Sequence, residues 1–391
     1  MPQSIHSDYA AIVESLTADF AQTAIARDRA GGTAKRERDL LRDSGLLKIA
    51  VPRDFGGDEA SWPDVLAIVR RIAEVDSSLA HLFAFQHLQV ATVLLFANPQ
   101  QQRDLLAGTA RQNWFWGNAM NAVANQAIAT KVEGGYLVEG VKTFCSGATD
   151  SDRLMLSAAR ADGGGLIVAG VESTRAGIDI RQDWDNMGQR QTDSGTVAFE
   201  RLFIADAEVL GPPGPLSTPR STLRPLLAQL ILVNLYVGIA RGALEAALAH
   251  TRTDARPWIN SGLAHAADDP FLQQRYAELW VDLKAALRLA DDAADAFERG
   301  WRQGEALTPE QRGEIAVAVA EAKIIASRAG LAIVNDIFEQ TGARATAARF
   351  GFDRYWRNLR THTLHDPVDY KKRDLGRWLV TGEVPKPSFY S

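Results

Sequence analysis

The chain has 391 residues, of which 46% are hydrophobic and 23% charged, as in ordinary globular proteins. Its formal net charge of -5 argues against a protein that binds nucleic acid or an anionic membrane. The single cysteine, Cys145, excludes a disulfide framework and predicts a reducing cytoplasm. The longest apolar stretch, 226–240, is interrupted by Gln229 and Asn234 and is too short and too polar to span a bilayer. We therefore expect a buried core helix there and no contact with membranes.

The first third of the chain has a helical pattern. Ile12, Leu16 and Phe20 recur every four residues, which predicts a helix over 8–30 with these side chains on one buried face. Further helices are expected from about 33 to 44, from Pro63 to Ile72, and from Ser77, as a cap, to Phe96, where Asn98-Pro99 breaks the pattern. These elements predict a helical domain over residues 1–112.

The middle of the chain is typical of a β-sheet. A hairpin is predicted around Gly134-Gly135, and apolar runs at 154–157 and 166–171 predict two further strands. Val197, Phe199 and Phe203 fall on one face at a period of two. The sheet is expected to end at the proline-rich segment 211–215, which gives a β domain over 113–215.

The remainder is predicted to be a helical bundle over residues 216–391. The long helical segments are 226–251, about 271–301, and 309–341. The chain has no G-x-G-x-x-G, no G-x-x-x-x-G-K-[ST] and no G-x-S-x-G motif. These absences argue against a doubly wound dinucleotide-binding fold, a P-loop enzyme and an α/β-hydrolase.

Three stretches resemble the acyl-CoA dehydrogenase superfamily. They are 45–57 with the following Ile72-Ala73-Glu74-Val75-Asp76, then Gly140 to Gly147, and finally Trp184 to Phe203. The order of helices, sheet and helices resembles that family along the whole chain. The resemblance implies an α+β fold with an N-terminal helical domain, a middle β-sheet domain and a C-terminal four-helix bundle.

The C-terminal segment 352–367 departs from the dehydrogenases in that superfamily. Asp366 stands where they carry the glutamate that abstracts the substrate α-proton, Pro367 replaces a glycine, and 116–121 replaces their Thr-Glu-Pro segment. The pair His362 and His365 instead resembles the flavin monooxygenase branch, which includes dibenzothiophene monooxygenases and enzymes of sulfur acquisition.

This resemblance implies an oxygenase that receives reduced FMN from a separate flavin reductase. It would use O2, through a flavin hydroperoxide, to oxygenate a small or aromatic organosulfur compound, and it would assemble as a homotetramer. FMN and FAD both remain open, because this fold binds either without a nucleotide motif. Two alternatives are an FAD-dependent acyl-CoA dehydrogenase with Asp366 as base, and a non-catalytic subunit of the same fold.

His365 is the candidate proton donor and acceptor near the flavin, because histidine titrates near neutral pH. Asp366-Pro367 has the pattern of an N-cap followed by proline at the first helical position. His365 is then expected just before a positive helix terminus, which favours the neutral imidazole. Asp366 is interpreted as a cap rather than a base. His362 is a second candidate for a site residue. The two histidines have no third ligand of matching spacing in the sequence, so a metal site is not expected.

The resemblance also implies the other site residues. Ser146 follows the segment where the superfamily hydrogen-bonds its flavin, and a hydroxyl suits flavin N5 or O4. Either Asn118 or Asn121 is expected to contact the flavin or the peroxide. His87 is either a pocket residue or a core histidine on an apolar helix. Trp184 and Ser194 are expected to flank the ring or the phosphate.

Arg256 and Arg344 are the phosphate-binding candidates, because a guanidinium group can bind two phosphate oxygens at once. In the family, the matching regions reach the flavin of a neighbouring subunit. Oligomerisation would then be part of the active site. Arg252 is interpreted as a surface charge.

Overall fold

The computed structural model describes residues 5–121 and 126–391. Helices come first, a seven-stranded sheet follows, and helices complete the chain, which confirms the predicted α+β arrangement. The type of element changes between Gln112 and Trp116, and helix returns at Leu223. The predicted domain limits, at residues 112 and 215, lie close to these two positions and remain predictions.

The first helix buries a face slightly different from the predicted one. Leu16 and Phe20 are buried, but Ile12 is 37% exposed and Val13 takes its place in the core. Four residues turn 400° around a helix, which is 40° more than a full turn, so side chains at this spacing drift away from the core face. Val13, three residues before Leu16, therefore lies on the core side instead of Ile12. The N-terminal helices are α1 (Ser7–Ala30), α2 (Lys35–Asp43), α3 (Trp62–Ala73), α4 (Ser77–Phe96) and α5 (Pro99–Gln112).

Caps explain where α4 and α5 begin. Asp76, rather than the predicted Ser77, caps α4 and accepts a hydrogen bond from the backbone of Leu79. At the predicted break, Asn98 and Gln101 form a capping box around Pro99, so the same residues that end one helix start the next.

The sheet carries the predicted hairpin, with β2 and β3 paired antiparallel around Gly134. The strand order is β1-β4-β2-β3-β7-β6, and β5 pairs with β4. β4 is parallel to both β1 and β2, and β1 also packs against α4. The strands are β1 (Trp116–Ala119), β2 (Ala127–Val132), β3 (Gly135–Lys142), β4 (Arg153–Arg160), β5 (Leu166–Glu172), β6 (Ile178–Ile180) and β7 (Val197–Ala205).

The prediction that Phe203 shares the buried face of β7 is wrong. Val197 and Phe199 are buried, but Phe203 is 45% exposed and Leu202 lies in the core instead. The pairing of β7 with β3 shifts register here, and Arg201 has a φ of 50°. An irregularity of one residue moves every later side chain to the opposite face, which a period of two cannot anticipate.

The C-terminal part is a bundle in which α6 packs against both α7 and α8. Helix α6 extends beyond the apolar stretch 226–240 on both sides, and nearly all of that stretch is buried, which confirms the predicted core helix. By length and composition alone, α4 and α6 could each cross a membrane, but 89% of the most apolar part of each is buried in the protein. The helices are α6 (Leu223–Thr253), α7 (Pro270–Gln303), α8 (Pro309–Thr341), α9 (Asp353–Thr363) and α10 (Val368–Thr381).

Candidate functional site

Helix α4 carries a row of side chains that links the sheet to the C-terminal bundle. The row repeats at intervals of three and four residues, which places its members on one helix face. Its first member lies beside the loop before β7, and its last lies beside the start of α6. The α4 row consists of Ser78, His81, Phe85, Gln89 and Thr92.

His81 joins the predicted histidines at the bundle side of this row. Its ring stacks on Phe85 with centroids 4.0 Å apart and lies 5.0 Å from the ring of His362. Both nitrogens of His81 and Nδ1 of His362 are buried without a hydrogen-bond partner among the described residues. Burial, with a smaller contribution from the charge of His365, lowers the pKa of His81 to about 3. Burial and then the nearby His81 hold the pKa of His362 well below its usual range. Both rings are therefore neutral near pH 7.

The structure does not bring His87 to this cluster. It lies six positions after His81, about 120° away around the helix. Its ring is fully buried with its centroid 4.6 Å from that of Phe83, and burial lowers its pKa to about 3. Of the two interpretations of His87, the geometry favours the core histidine.

His365 is held by the residue that follows it. Its Nδ1 lies 2.9 Å from Oδ1 of Asp366, which also accepts a hydrogen bond from Nε2 of Gln229 at 3.2 Å. Nζ of Lys323 lies 3.5 Å from the same carboxylate. The Asp366 side chain is 9% exposed and that of His365 is 42% exposed. A buried carboxylate thus supports a ring that is open to solvent on its other side.

The interpretation of Asp366 as a helix cap is wrong. Helix α10 begins at Val368 with Pro367 at the cap position, and no side chain caps it. The carboxylate turns instead to His365 and Lys323, because the buried amine needs a counter-charge. Burial opposes ionisation of Asp366, but the hydrogen bond from His365 and the charge of Lys323 hold its pKa well below its usual range.

This contact determines which ring nitrogen of His365 carries the proton. An ionised carboxylate only accepts hydrogen bonds, so Nδ1 of His365 must be the donor. Nε2 makes no hydrogen bond with the described residues.

Lys323 extends this network to His362. Its Nζ donates to the hydroxyl of Tyr236 at 3.2 Å, and that hydroxyl donates to the backbone carbonyl of His362 at 2.7 Å. Burial lowers the pKa of Lys323 to about 8, although Asp366 opposes the shift. The lysine, the tyrosine and the carboxylate together fix the turn between α9 and α10 that carries His362 and His365.

On the sheet side, the predicted serines share a chain of hydroxyl groups. Ser146 and Ser194 lie 2.7 Å apart through their Oγ atoms, and Thr192 lies 2.7 Å from Ser194. The backbone of Asn118 donates to the carbonyl of Ser146 at 3.0 Å, and its side chain accepts from Gln89 of the α4 row at 3.1 Å. The α4 row therefore contacts both the serine side and the histidine side.

Two aromatic side chains lie next to the hydroxyl chain. Trp184 donates from Nε1 to the carbonyl of Gln189 at 2.8 Å, and its ring lies 5.8 Å from that of Phe144. Phe144 is exposed although it is apolar. Asn121 contributes its carbonyl to Nζ of Lys142 at 2.8 Å. The backbone of Asn118 bonds directly to Ser146, so the geometry favours Asn118 over Asn121 as the residue beside Ser146.

The two phosphate candidates lie away from this cluster within the subunit. Arg256 is exposed just after the end of α6, and Arg344 is exposed just after α8. The 31 residues of α6 span about 45 Å, and Gln229, which contacts Asp366, lies near the opposite end of that helix. Arg256 therefore cannot reach a ligand beside His365 of its own chain.

The chemistry of these groups fits a flavin bound between sheet and bundle. The hydroxyl chain offers donors and acceptors to ring nitrogens and oxygens, the aromatic rings offer flat apolar contacts, and the neutral imidazoles have unsatisfied nitrogens. Among the described residues, no group of three or more histidines, cysteines and acids could hold a metal ion.

Comparison with known families defines the class of protein. Residues 8–113 match the acyl-CoA dehydrogenase N-terminal domain, 117–202 match the middle domain, and 230–370 match the C-terminal domain. The chain belongs to the acyl-CoA dehydrogenase family, as its sequence motifs predict.

Relatives with high sequence identity place the chain in the flavin-dependent monooxygenase branch, which confirms the prediction from the C-terminal segment. It is 50% identical over 382 residues to a probable FMNH2-dependent monooxygenase, SfnC, of Pseudomonas putida, with 97% of each chain covered. The methanesulfinate monooxygenase MsuC of Pseudomonas fluorescens superposes with a TM-score of 0.96 at 48% identity, covering 97% of this chain and 98% of that one. FMN-bound TdsC, a dibenzothiophene monooxygenase of Paenibacillus sp. A11-2, superposes with a TM-score of 0.92 at 41% identity, covering 97% and 99%.

Sequence reasoning missed three residues that the structure places in the cluster: His81, Lys323 and Gln229. A signal for His81 exists in the sequence, because the polar positions of the α4 row recur at helical spacing within an apolar helix. Lys323 and Gln229 have no such signal, since their contacts with Asp366 join distant parts of the chain.

Proposed function

We propose that this flavin-dependent monooxygenase is the oxygenase component of a two-component system and oxygenates a small organosulfur compound. One observation carries the proposal. His365 is oriented by the ionised Asp366, beside the neutral His81 and His362, and the α4 row connects these rings to the hydroxyl chain of Ser146. This arrangement provides a proton-transfer group on the bundle side of the α4 row and flavin-binding groups on its sheet side.

Each residue has a role that follows from its contacts. Reduced FMN, when bound, supplies two electrons, so that one atom of O2 enters the product and the other leaves as water. Ser146, held by Ser194, would donate to or accept from the ring edge, and Asn118 would keep that loop in place. His365 would hold a proton on Nδ1 through Asp366 and present Nε2 as the group that exchanges protons. The neutral His81 and His362 would exclude water and offer hydrogen bonds without adding charge.

The substrate class is proposed from the relatives. SfnC is a probable FMNH2-dependent monooxygenase, MsuC is a methanesulfinate monooxygenase, and TdsC is a dibenzothiophene monooxygenase. The last two act on compounds in which sulfur is below its highest oxidation state. Oxygen transfer to sulfur is therefore the reaction we assign to this chain.

We also propose a homotetramer in which Arg256 and Arg344 bind the FMN phosphate of a neighbouring subunit. The length of α6 keeps Arg256 away from the cluster of its own chain. The segment around Arg256 exposes Trp258 and Ile259, which are 69% and 86% exposed, and Phe271 is exposed nearby. Large exposed apolar residues beside charged groups are typical of protein interfaces.

The proposed system further includes a separate reductase and a cytoplasmic location. A supply of reduced FMN requires a reductase that shares the compartment, and diffusion of the flavin is sufficient for transfer. The buried free thiol of Cys145 is compatible with a reducing compartment.

An acyl-CoA dehydrogenase activity has little support from the site. Such an enzyme needs a carboxylate base that is free to take a proton from the substrate. Asp366, at the matching position, is held ionised by Lys323 and His365, and its pKa is well below the usual range. A carboxylate so strongly stabilised is a poor base.

The test is a single-turnover experiment with purified protein, anaerobically reduced FMN and a pulse of O2. We expect an organosulfur substrate to be oxygenated with about one product per FMN oxidised, and peroxide to be released without substrate. Protein that retains tightly bound oxidised flavin and bleaches with acyl-CoA would contradict the proposal. Failure to bind flavin in either redox state would favour a non-catalytic subunit.

A further inference from the structure

Arg224 is a cation without an acidic partner next to the candidate site. It is partly buried at the second residue of α6. Its Nε donates to Oγ1 of Thr92 at 2.8 Å, and its Nη2 lies 3.4 Å from the thioether sulfur of Met120. Within residues 5–121 and 126–391, no carboxylate forms an ion pair with Arg224. The eight residues outside these ranges include no aspartate or glutamate.

This environment is unusual among the buried cations of the protein. Arg38 lies within 3.4 Å of Asp150 and Asp193, and Arg70 lies 2.7 Å from Asp291. Among the residues that the structure describes, Arg312 pairs with no acid but donates to the backbone carbonyls of Thr222 and Ser391. In the same part of the chain, Arg224 contacts only a hydroxyl group and a weakly accepting sulfur. Burial lowers the pKa of Arg224 to about 10, so the group remains charged near neutral pH.

The position of Arg224 connects it to the site already described. Thr92 is the last member of the α4 row, one turn beyond Gln89, which donates to Asn118. Met120 follows directly after β1, two residues beyond Asn118. The guanidinium group therefore lies at the junction of α4, α6 and the end of β1, on the same helix face as the serine and histidine groups.

A charge shielded from water is costly unless an opposite charge or several hydrogen bonds compensate it, and one with few such partners beside a reaction site is suited to an anion supplied by a ligand. We propose that Arg224 binds the oxygens of an anionic substrate, and that the substrate class is the alkanesulfinates. This inference rests on the proposed function. A guanidinium group matches two oxygens of one oxyacid, and a sulfinate keeps a lone pair on sulfur that a sulfonate lacks.

The reaction of such a substrate balances with the components of the proposed system. One oxygen atom of O2 forms a new bond to sulfur and converts the sulfinate to a sulfonate. The other oxygen leaves as water with two protons, while reduced FMN gives up two electrons and is oxidised. The charge of the substrate is unchanged, so Arg224 pairs with the anion before and after the transfer.

The FMN phosphate is the other anion that Arg224 could bind, and the test distinguishes the two. The binding of methanesulfinate to flavin-free protein is measured by calorimetry, and the binding of reduced FMN by anaerobic titration. Variants Arg224→Met and Arg224→Lys are compared with Arg220→Met, which removes a nearby arginine that pairs with Glu305 on the surface.

We expect Arg224→Met to weaken methanesulfinate binding and to raise its KM at least about tenfold, since a charge-assisted contact is lost. Arg224→Lys should restore part of the affinity, and Arg220→Met should leave it unchanged. Affinity for reduced FMN should stay within about twofold of wild type in all three. Thermal unfolding identifies any variant that fails to fold. If Arg224→Met does not fold, the sulfinate affinity of Arg224→Lys is compared with that of wild type instead.

Three results would overturn the inference. They are unchanged sulfinate affinity in a folded Arg224→Met protein, loss of reduced-FMN affinity instead, and wild-type protein that oxygenates neutral thiophenes but binds no alkanesulfinate. Each of these leaves the monooxygenase function intact. Absence of substrate-dependent product with any organosulfur compound would count against the proposed function itself.

Discussion

His365 and Asp366 are neighbours in the chain and hydrogen-bond to each other through Nδ1 and Oδ1 at 2.9 Å. Adjacent side chains rarely meet in regular structure, and here the turn between α9 and α10 allows it. The carboxylate is buried beside Lys323, so the orientation of a half-exposed ring depends on a charge pair in the core. The following predictions begin from this relationship.

Replacing Asp366 by asparagine should separate FMN oxidation from oxygenation. An amide can donate as well as accept a hydrogen bond, so the proton of His365 would no longer be held on Nδ1 and Nε2 would not be fixed as the atom that exchanges protons. Product formed per FMN oxidised should fall at least about tenfold, with peroxide released in its place. The measurement is product and peroxide per FMN oxidised, with Asp369→Asn as a control on the exposed face of α10. An unchanged product yield would remove Asp366 from its positioning role.

Replacing Lys323 by methionine should change stability in a pH-dependent way. The pKa of Lys323 is lowered to about 8, below the value of about 10.4 in the unfolded chain. The unfolded chain therefore binds more protons between these values, and this lysine makes wild-type stability rise with pH there. Between pH 7.5 and 9.5, the free energy of unfolding of wild type should gain about 2 kcal/mol relative to Lys323→Met. Chemical unfolding of both proteins at the two pH values measures this difference, and parallel curves would contradict it.

Histidines 81 and 87 should respond differently to the same substitution. His81→Phe removes nitrogens that face the cluster, so the protein should fold but release peroxide in place of product. His87→Phe alters a closely packed core position and should cost about 1–3 kcal/mol of stability while leaving coupling intact. Product and peroxide yields are compared with unfolding midpoints for both variants. The reverse pattern would restore His87 as the pocket residue.

Arg256→Ala should weaken binding of reduced FMN with little effect on folding. The side chain is exposed in the single subunit, and its proposed partner is a phosphate group bound by a neighbouring chain. Anaerobic flavin titration should show a loss of about tenfold or more, whereas Arg252→Ala, a neighbouring exposed arginine, should bind normally. Wild-type affinity in Arg256→Ala, with the oligomer intact, would exclude it from the site.

Much of the fold could be predicted because its signals are local. Helix α8 begins and ends where the sequence predicts, since Thr308 and Gln311 form a capping box and Gly342 ends the helix. Phe203 was misplaced because the irregularity in β7 depends on pairing with another strand. Local patterns identify an element, but its register also depends on its neighbours.

The site was predicted less completely, for a related reason. Helix α4 is buried on nearly every side, so its apolar residues do not show which face carries the site, and sequence reasoning named His87 but not His81. Asp366 has the sequence pattern of a cap, but its side chain turns to the adjacent His365 and to the distant Lys323 and Gln229 instead. The family was accessible from motifs, whereas the contacts that support the candidate site were not.

The α4 row has a consequence for how this enzyme can change over evolution. One inserted or deleted residue within the helix would rotate everything beyond it by about 100°, and the contacts with His362, Asn118 and Arg224 could not all survive. Substitutions, by contrast, alter one contact and leave the others in place. The number of residues in this helix should therefore stay constant among enzymes that keep the site, while new substrate preferences arise by substitution of single side chains along it.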